Sequence, residues 1–188
     1  MMMEVIIAYD LCAKSEFRGA IQMKKALLVI DMQEATVGDA HADFFKYDNE
    51  LIKRVNSVIS STDATVVVYI RNLMKNNFIN KLAPVKVFDN TPEAELAKGL
   101  LLVSSNTFSK FTGDAFSNPD FCEFLKINSI DTVELIGVDG GGCVSLTALG
   151  AYENGYKVIL NTSAIGTMFD TKKEKYFEKL KKLGVMFI

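Results

Sequence analysis

The stretch Val133-Glu134-Leu135-Ile136-Gly137-Val138-Asp139-Gly140-Gly141-Gly142-Cys143-Val144 decides the fold. Its first six residues are an apolar run of strand length, and residues 144–154 carry a helical pattern closed by Gly155, a favoured residue just past a helix end. Strand, glycine turn and helix make up most of a βαβ unit, whose strand lies inside a covered parallel sheet. Cys143 then sits at the C-terminal edge of the sheet and at the positive end of a helix dipole, where a thiolate is favoured. Three consecutive glycines cost conformational freedom and add no packing, so the backbone there must approach something closely. One reading is a cradle of amides beside a nucleophilic thiol, able to bind a carbonyl oxygen as it becomes tetrahedral. The other is a tight turn with a buried, inert cysteine.

The same alternation runs outward in both directions. Residues 26–31 read as a strand, 49–61 as a helix with Leu51, Ile52, Val55, Val58 and Ile59 on one face, and 65–71 as a second strand. Residues 119–127 read as a helix, 132–138 and 157–161 as strands, 171–183 as a charged helix and 185–188 as a terminal strand. Strands apolar on both faces and separated by helices predict an α/β fold, a three-layer α/β/α doubly wound parallel sheet. Ligands in such sheets bind off the carboxyl ends of the strands, where the winding reverses.

At 188 residues and 49% hydrophobic content the chain suits one domain with a sizeable core. Residues 1–22 precede Met23-Lys24-Lys25, which reads as a natural start. They are either upstream sequence or an added edge strand over residues 5–8, and residues 23–188 are the expected domain. Lys and Arg total 21 against 23 Asp and Glu, a net charge of −2, so nothing suggests nucleic acid. No apolar stretch approaches the length of a membrane span. Three widely spaced cysteines, Cys12, Cys122 and Cys143, fit a reduced, cytoplasmic setting rather than a disulfide framework or a zinc site.

Two further residues belong with Cys143. Asp31 ends the first strand in Leu28-Val29-Ile30-Asp31-Met32-Gln33 and reaches the same sheet edge, as a catalytic carboxylate or as a cap of the next turn. Lys110, in Phe108-Ser109-Lys110-Phe111, would alone be read as a solvated surface lysine.

Taken together, an Asp closing the first strand, a mid-chain Lys and a Cys in a Gly-Val-x-x-x-x-Cys-Val turn resemble the isochorismatase-like cysteine hydrolases. That superfamily includes nicotinamidases, carbamoyl-amine amidohydrolases and ureidoacrylate amidohydrolases. The resemblance runs from about Met23 to about Thr167 and adds Thr147-Ala148 with Gly155-Tyr156-Lys157-Val158. It implies a six-stranded parallel sheet and a catalytic triad of Asp31, Lys110 and Cys143. It also implies a cis peptide at Val138–Asp139 and an oxyanion hole made by the backbone amides of Asp139 and Cys143. Many relatives carry a Thr-Asp or similar pair in the turn where this chain has Gly140-Gly141-Gly142, so side-chain contacts to substrate from that turn are absent. Nicotinamidases bind a metal through an Asp and two His after the second strand. Here Tyr69-Ile70-Arg71-Asn72-Leu73-Met74 holds no His, and His41, the chain's single histidine, cannot form such a cluster alone. No metal and no cofactor are expected.

The chemistry so implied is hydrolysis of a small amide or ureide through a thioester. Asp31 is the base, and the Lys110 ammonium lowers the thiol pKa. A papain-type Cys–His pair has only His41 to draw on. Gln33, Arg71 and Asn72 are candidate substrate-binding residues just past strand ends, with Phe44, Phe111 or Phe116 as apolar walls and Arg71 suited to a substrate carboxylate. Two alternatives stand beside this reading: vinyl-ether hydrolysis of isochorismatase type with Asp31 as acid, and a non-catalytic, thiol-based binding or redox protein. The apolar content and the resemblance together imply a homo-oligomer, a dimer or tetramer.

Overall fold

The computed structural model describes residues 23–38 and 44–188. The expectations for residues 1–22, Cys12 and His41 lie outside the described residues. Six strands form one sheet: β1 Lys25–Ile30, β2 Val66–Asn72, β3 Thr107–Lys110, β4 Thr132–Val138, β5 Lys157–Gly166 and β6 Met186–Phe187. All pairings are parallel, and the spatial order is β3-β2-β1-β4-β5-β6. The helices are α1 Glu34–Val37, α2 Leu51–Ser61, α3 Pro119–Ile127, α4 Cys143–Glu153 and α5 Asp170–Lys182.

Period-two alternation in β1 explains the three layers. Ala26, Leu28 and Ile30 face one way, into a core shared with Phe121 and Leu125 of α3, Val144 and Ala148 of α4, and Leu180 of α5. Leu27 and Val29 face the other way, against Leu51, Val55 and Ile59 of α2 and Ala97 and Leu100 of the β2–β3 connection. Every residue of β4 is buried, as a central strand covered on both faces requires. Among the described residues no helix is long and apolar enough to cross a membrane.

Several boundaries were readable from local chemistry. Helix α3 starts at Pro119 because the Asn118 side chain accepts from the amides of Asp120 (2.8 Å) and Phe121 (3.1 Å), and proline loses nothing at the first helical position. Gly155 follows α4 with φ +85°, a left-handed conformation that suits glycine. The structure differs from expectation at several places, beginning with α1, a short helix at Glu34–Val37 that no periodic pattern marks. Helix α4 begins at Cys143 itself, one residue earlier than its apolar pattern. Strand β3 lies at a sheet edge and is half-buried, so its Thr107-Phe108-Ser109-Lys110 lacks the apolar run that marks an inner strand. Strand β5 continues to Gly166 through a break in register: Leu135 pairs with Leu160, and Gly137 with Ile165. The polar residues Asn161, Thr162 and Ser163 fill that break, which is why the sequence pattern stops at 161.

The winding reverses between β1, followed by Asp31, and β4, followed by Asp139 to Cys143. That is the position where doubly wound sheets open a crevice at their carboxyl ends.

Candidate active site

Asp31 leaves β1 in the left-handed region, φ +53°, a conformation uncommon for a residue other than glycine and concentrated at functional sites. Its amide donates to the Ile70 carbonyl (2.9 Å), and its carbonyl accepts from the Thr36 hydroxyl (2.6 Å), so the residue is fixed to β2 and α1. Lys110 ends β3, two strands away, and its ammonium donates to Asp31 Oδ2 at 2.9 Å. At 1% and 4% exposure, Lys110 and Asp31 form a buried ion pair rather than the surface lysine and turn cap of the isolated readings. Asp31 Oδ1 is also buried and makes no well-formed hydrogen bond among the described residues. The Cys143 thiol interacts with both members of the pair.

The electrostatics differ in one respect from expectation. Burial raises the Asp31 pKa, and the attraction of Lys110 only partly offsets it. Burial opposes the Lys110 charge, but the attraction and hydrogen bond of Asp31, joined by Cys143 whenever the thiol is ionised, raise its pKa above the ordinary lysine value. Burial pushes the Cys143 thiol up, the Asp31 charge adds to that, and Lys110 partly counters them, for a pKa of about 12. The resting thiol is therefore neutral, whereas the helix dipole and Lys110 taken alone favour the thiolate. At the sulfur Asp31 outweighs Lys110, so the pair adds to the larger effect of desolvation. The sign is testable. A raised pKa means that alkylation of Cys143 by iodoacetamide climbs with pH through pH 9 without levelling off, read by peptide mass spectrometry. A plateau below pH 8 would contradict it.

The β4–α4 turn is organised by Asp139, whose side chain the sequence reading passed over. The Val138–Asp139 peptide is cis. The Asp139 carboxylate accepts from the amides of Gly141 and Met168, each at 2.6 Å, and from the Tyr47 hydroxyl at 3.2 Å. Its carbonyl accepts from the amides of Gly142 (2.9 Å) and Val144 (3.1 Å), and the Gly140 amide donates to the Gly166 carbonyl (2.9 Å). An Asp opening a turn is a common signal for such side-chain to backbone bonding. The glycines answer a packing demand as well as a conformational one. A Cβ on Gly141 would lie 2.8 Å from the Phe169 carbonyl oxygen, and one on Gly140 would lie 3.0 Å from Ile165. With the three glycine amides spent inside the protein, the amides of Asp139 and Cys143 donate to no group among the described residues. Both belong to the edge of the cavity that exposes the thiol.

That cavity holds about 250 Å³, below the roughly 300–1,000 Å³ typical of sites for drug-sized ligands. Its apolar walls are Phe45, Tyr47, Val87, Val138, Met168 and Phe169. The aromatic residues proposed from sequence lie elsewhere: Phe44 and Phe111 are largely exposed, and Phe116 packs in the core against Phe121 and Tyr156. Phe45 and Tyr47 carried no periodic signal, because they sit in irregular chain after α1.

The three candidate substrate-binding residues separate. Asn72 lines the cavity with a side-chain amide that has no hydrogen bond among the described residues. Gln33 lines it too, but its amide donates to the carbonyls of Ala94 (2.9 Å) and Asn72 (3.3 Å) and its oxygen accepts from the Asn72 amide (2.7 Å). It ties the ends of β1 and β2 together. Arg71 does not line the cavity: it donates to the Ser109 hydroxyl (3.1 Å) and pairs with Asp89 and Glu95, each at 3.7 Å. No cluster of three or more His, Cys, Asp or Glu side chains suited to a metal exists among the described residues.

Comparison with known proteins follows the same line. A family model of the isochorismatase domain matches residues 25–188. Among solved structures, an isochorismatase-like hydrolase from Alkaliphilus metalliredigens superposes with TM-score 0.75 at 23% identity, covering 88% of this chain and 93% of that one. N-carbamoylsarcosine amidase from Thermoplasma acidophilum gives 0.72 at 23% identity, covering 88% and 95%. Pyrazinamidase of Pyrococcus horikoshii, in complex with zinc, gives 0.69 at 26% identity, covering 88% and 98%. Comparison with curated proteins gives no match. With the family model spanning nearly all of the chain and the same sheet recurring in these structures, the protein belongs to the isochorismatase family.

Proposed function

We propose that residues 23–188 form a cysteine hydrolase that cleaves the C–N bond of a small amide or ureide through a thioester on Cys143. The observation that carries this reading is the buried Lys110–Asp31 pair set against a thiol, with two uncommitted backbone amides beside it. The pyrazinamidase and the N-carbamoylsarcosine amidase that share the fold supply the bond class.

In the first half-reaction Asp31 accepts the Cys143 proton as sulfur bonds to the carbonyl carbon. Burial raises the proton affinity of Asp31, which suits it to accept that proton. The carbonyl π electrons move to oxygen, where the Asp139 and Cys143 amides donate to it, each such donor contributing about 3–4 kcal/mol. Collapse of the tetrahedral intermediate breaks the C–N bond, and Asp31 returns its proton to the leaving nitrogen. A water molecule, deprotonated by Asp31, then attacks the thioester, and the thiolate leaves and is reprotonated. The sum is amide plus water giving acid plus amine. Lys110 keeps Asp31 ionised between steps and steadies the developing thiolate.

The test is ammonia release from a panel of small primary amides and N-carbamoyl amines, paired with acid-quenched mass spectrometry. A turned-over substrate should leave its acyl group as added mass on the peptide containing Cys143. Turnover with no adduct on Cys143, even under rapid quench, would overturn the thioester.

A further inference from the structure

Polar groups around the cavity divide into those committed to the protein and those left for a ligand. The side chains of Gln33, Thr36, Tyr47 and Asp139 all bond within the chain, and Asp31 is held by Lys110. Among the lining side chains, Asn72 and Lys172 have no hydrogen bond or ion pair among the described residues. Lys172 stands in the first turn of α5, exposed, with its Nζ 5.0 Å from the centroid of the Phe169 ring that walls the same cavity. Its neighbour Lys173 is instead engaged with Asp170 at 2.8 Å. Lys172 also walls a second concavity of about 560 Å³, which shares Gly141 and Gly142 with the first and continues along α5 past Lys175 and Lys179. The whole chain carries a net charge of −2, so this positive rim is a local arrangement and not part of a generally basic surface.

We propose that Lys172 is a specificity residue, selecting amides or ureides that carry a carboxylate, which pairs with its ammonium at the cavity mouth. The proposal rests on Cys143 being the nucleophile. With the reacting carbonyl on the Asp139 and Cys143 amides, the carboxylate end of a small substrate lies toward Phe169 and α5. The Phe169 ring lies beneath the Lys172 ammonium and shields one side of the ion pair from water. Asn72, on the β2 side, serves the uncharged polar end.

Iodoacetate and iodoacetamide differ only in a carboxylate against a carboxamide, and both alkylate thiols. The ratio of their rates at Cys143 reads charge selection and normalises for any change in thiol reactivity. In the full-length protein at low ionic strength, Lys172→Gln should lower the iodoacetate-to-iodoacetamide ratio about three- to five-fold, the range of an exposed ion pair. Lys172→Glu should lower it further, and added salt should bring the wild-type ratio toward that of Lys172→Gln. Lys182→Gln, the same charge change at the far end of α5, serves as the control. An unchanged ratio in Lys172→Gln, or an equal fall in Lys182→Gln, with both reagents reacting at Cys143, would overturn the role of Lys172 and leave the hydrolase reading standing. Reaction of neither reagent at Cys143 would overturn both.

Discussion

Cys143→Ala is expected to reduce amide hydrolysis by at least about 10⁴-fold while the protein stays folded. Removal of the nucleophile from a cooperating set costs nearly as much as removal of the whole set, because no remaining group can form the covalent intermediate. The substitution deletes one sulfur from a half-buried site at the first turn of α4, where alanine is a good helix former, so the thermal transition should move little. Measuring kcat on the amide turned over fastest, with circular dichroism as the folding control, separates catalytic loss from structural loss. The same variant discriminates between chemistries. Vinyl-ether cleavage with Asp31 as acid has no need of sulfur, so activity on such a substrate that survives Cys143→Ala and disappears in Asp31→Asn would reassign the site.

Lys110→Met should be costly in a different way. Methionine keeps most of the volume of the lysine stem but removes the charge, which leaves the Asp31 carboxylate buried with no counter-ion. Breaking a buried pair from one side typically costs about 3–5 kcal/mol. The cost depends on pH with a definite sign. Without Lys110, the folded-state pKa of Asp31 rises further above its unfolded value. The destabilisation therefore grows as pH rises toward that folded value and is relieved as pH falls toward the unfolded value of 3.8. Chemical denaturation of Lys110→Met and wild type at pH 4 and pH 7 should show a gap that narrows at the lower pH. The double variant Asp31→Asn/Lys110→Met should regain most of the lost stability and none of the activity. A Lys110→Met protein as stable as wild type at pH 7 would mean that the pair is not desolvated as described. Loss of activity in the single variant should be on the order of 10²–10⁴-fold, the usual contribution of a positioned proton acceptor.

What the sequence made legible depended on the range of the interactions concerned. The inner strands were readable because residues such as Ala26 to Ile30 are buried on both faces and admit only apolar side chains. Helix α3 was readable because Asn118 and Pro119 act within one turn of it. Asp31, Lys110 and Cys143 could be proposed as partners only through resemblance, since the bond between Asp31 and Lys110 joins residues 79 apart and nothing local encodes it. The cavity walls were least legible. Phe45, Met168 and Phe169 come from irregular chain whose placement follows from long-range packing, whereas Phe44 has the same composition signal and points elsewhere. The thiol's electrostatics were misread for a related reason. The lysine and the helix end are visible in sequence as positive, but the burial that outweighs them is a property of the assembled sheet.

The neutral resting thiol has a consequence for durability. Hydrogen peroxide attacks thiolates, and a cysteine kept protonated is a poor substrate for the first step toward sulfenic acid. With its pKa raised by burial, Cys143 is expected to react slowly with peroxide, which mass spectrometry of the Cys143 peptide after peroxide treatment checks. In the proposed mechanism, ionisation is deferred to the moment when a carbonyl carbon is in place to receive the sulfur electrons.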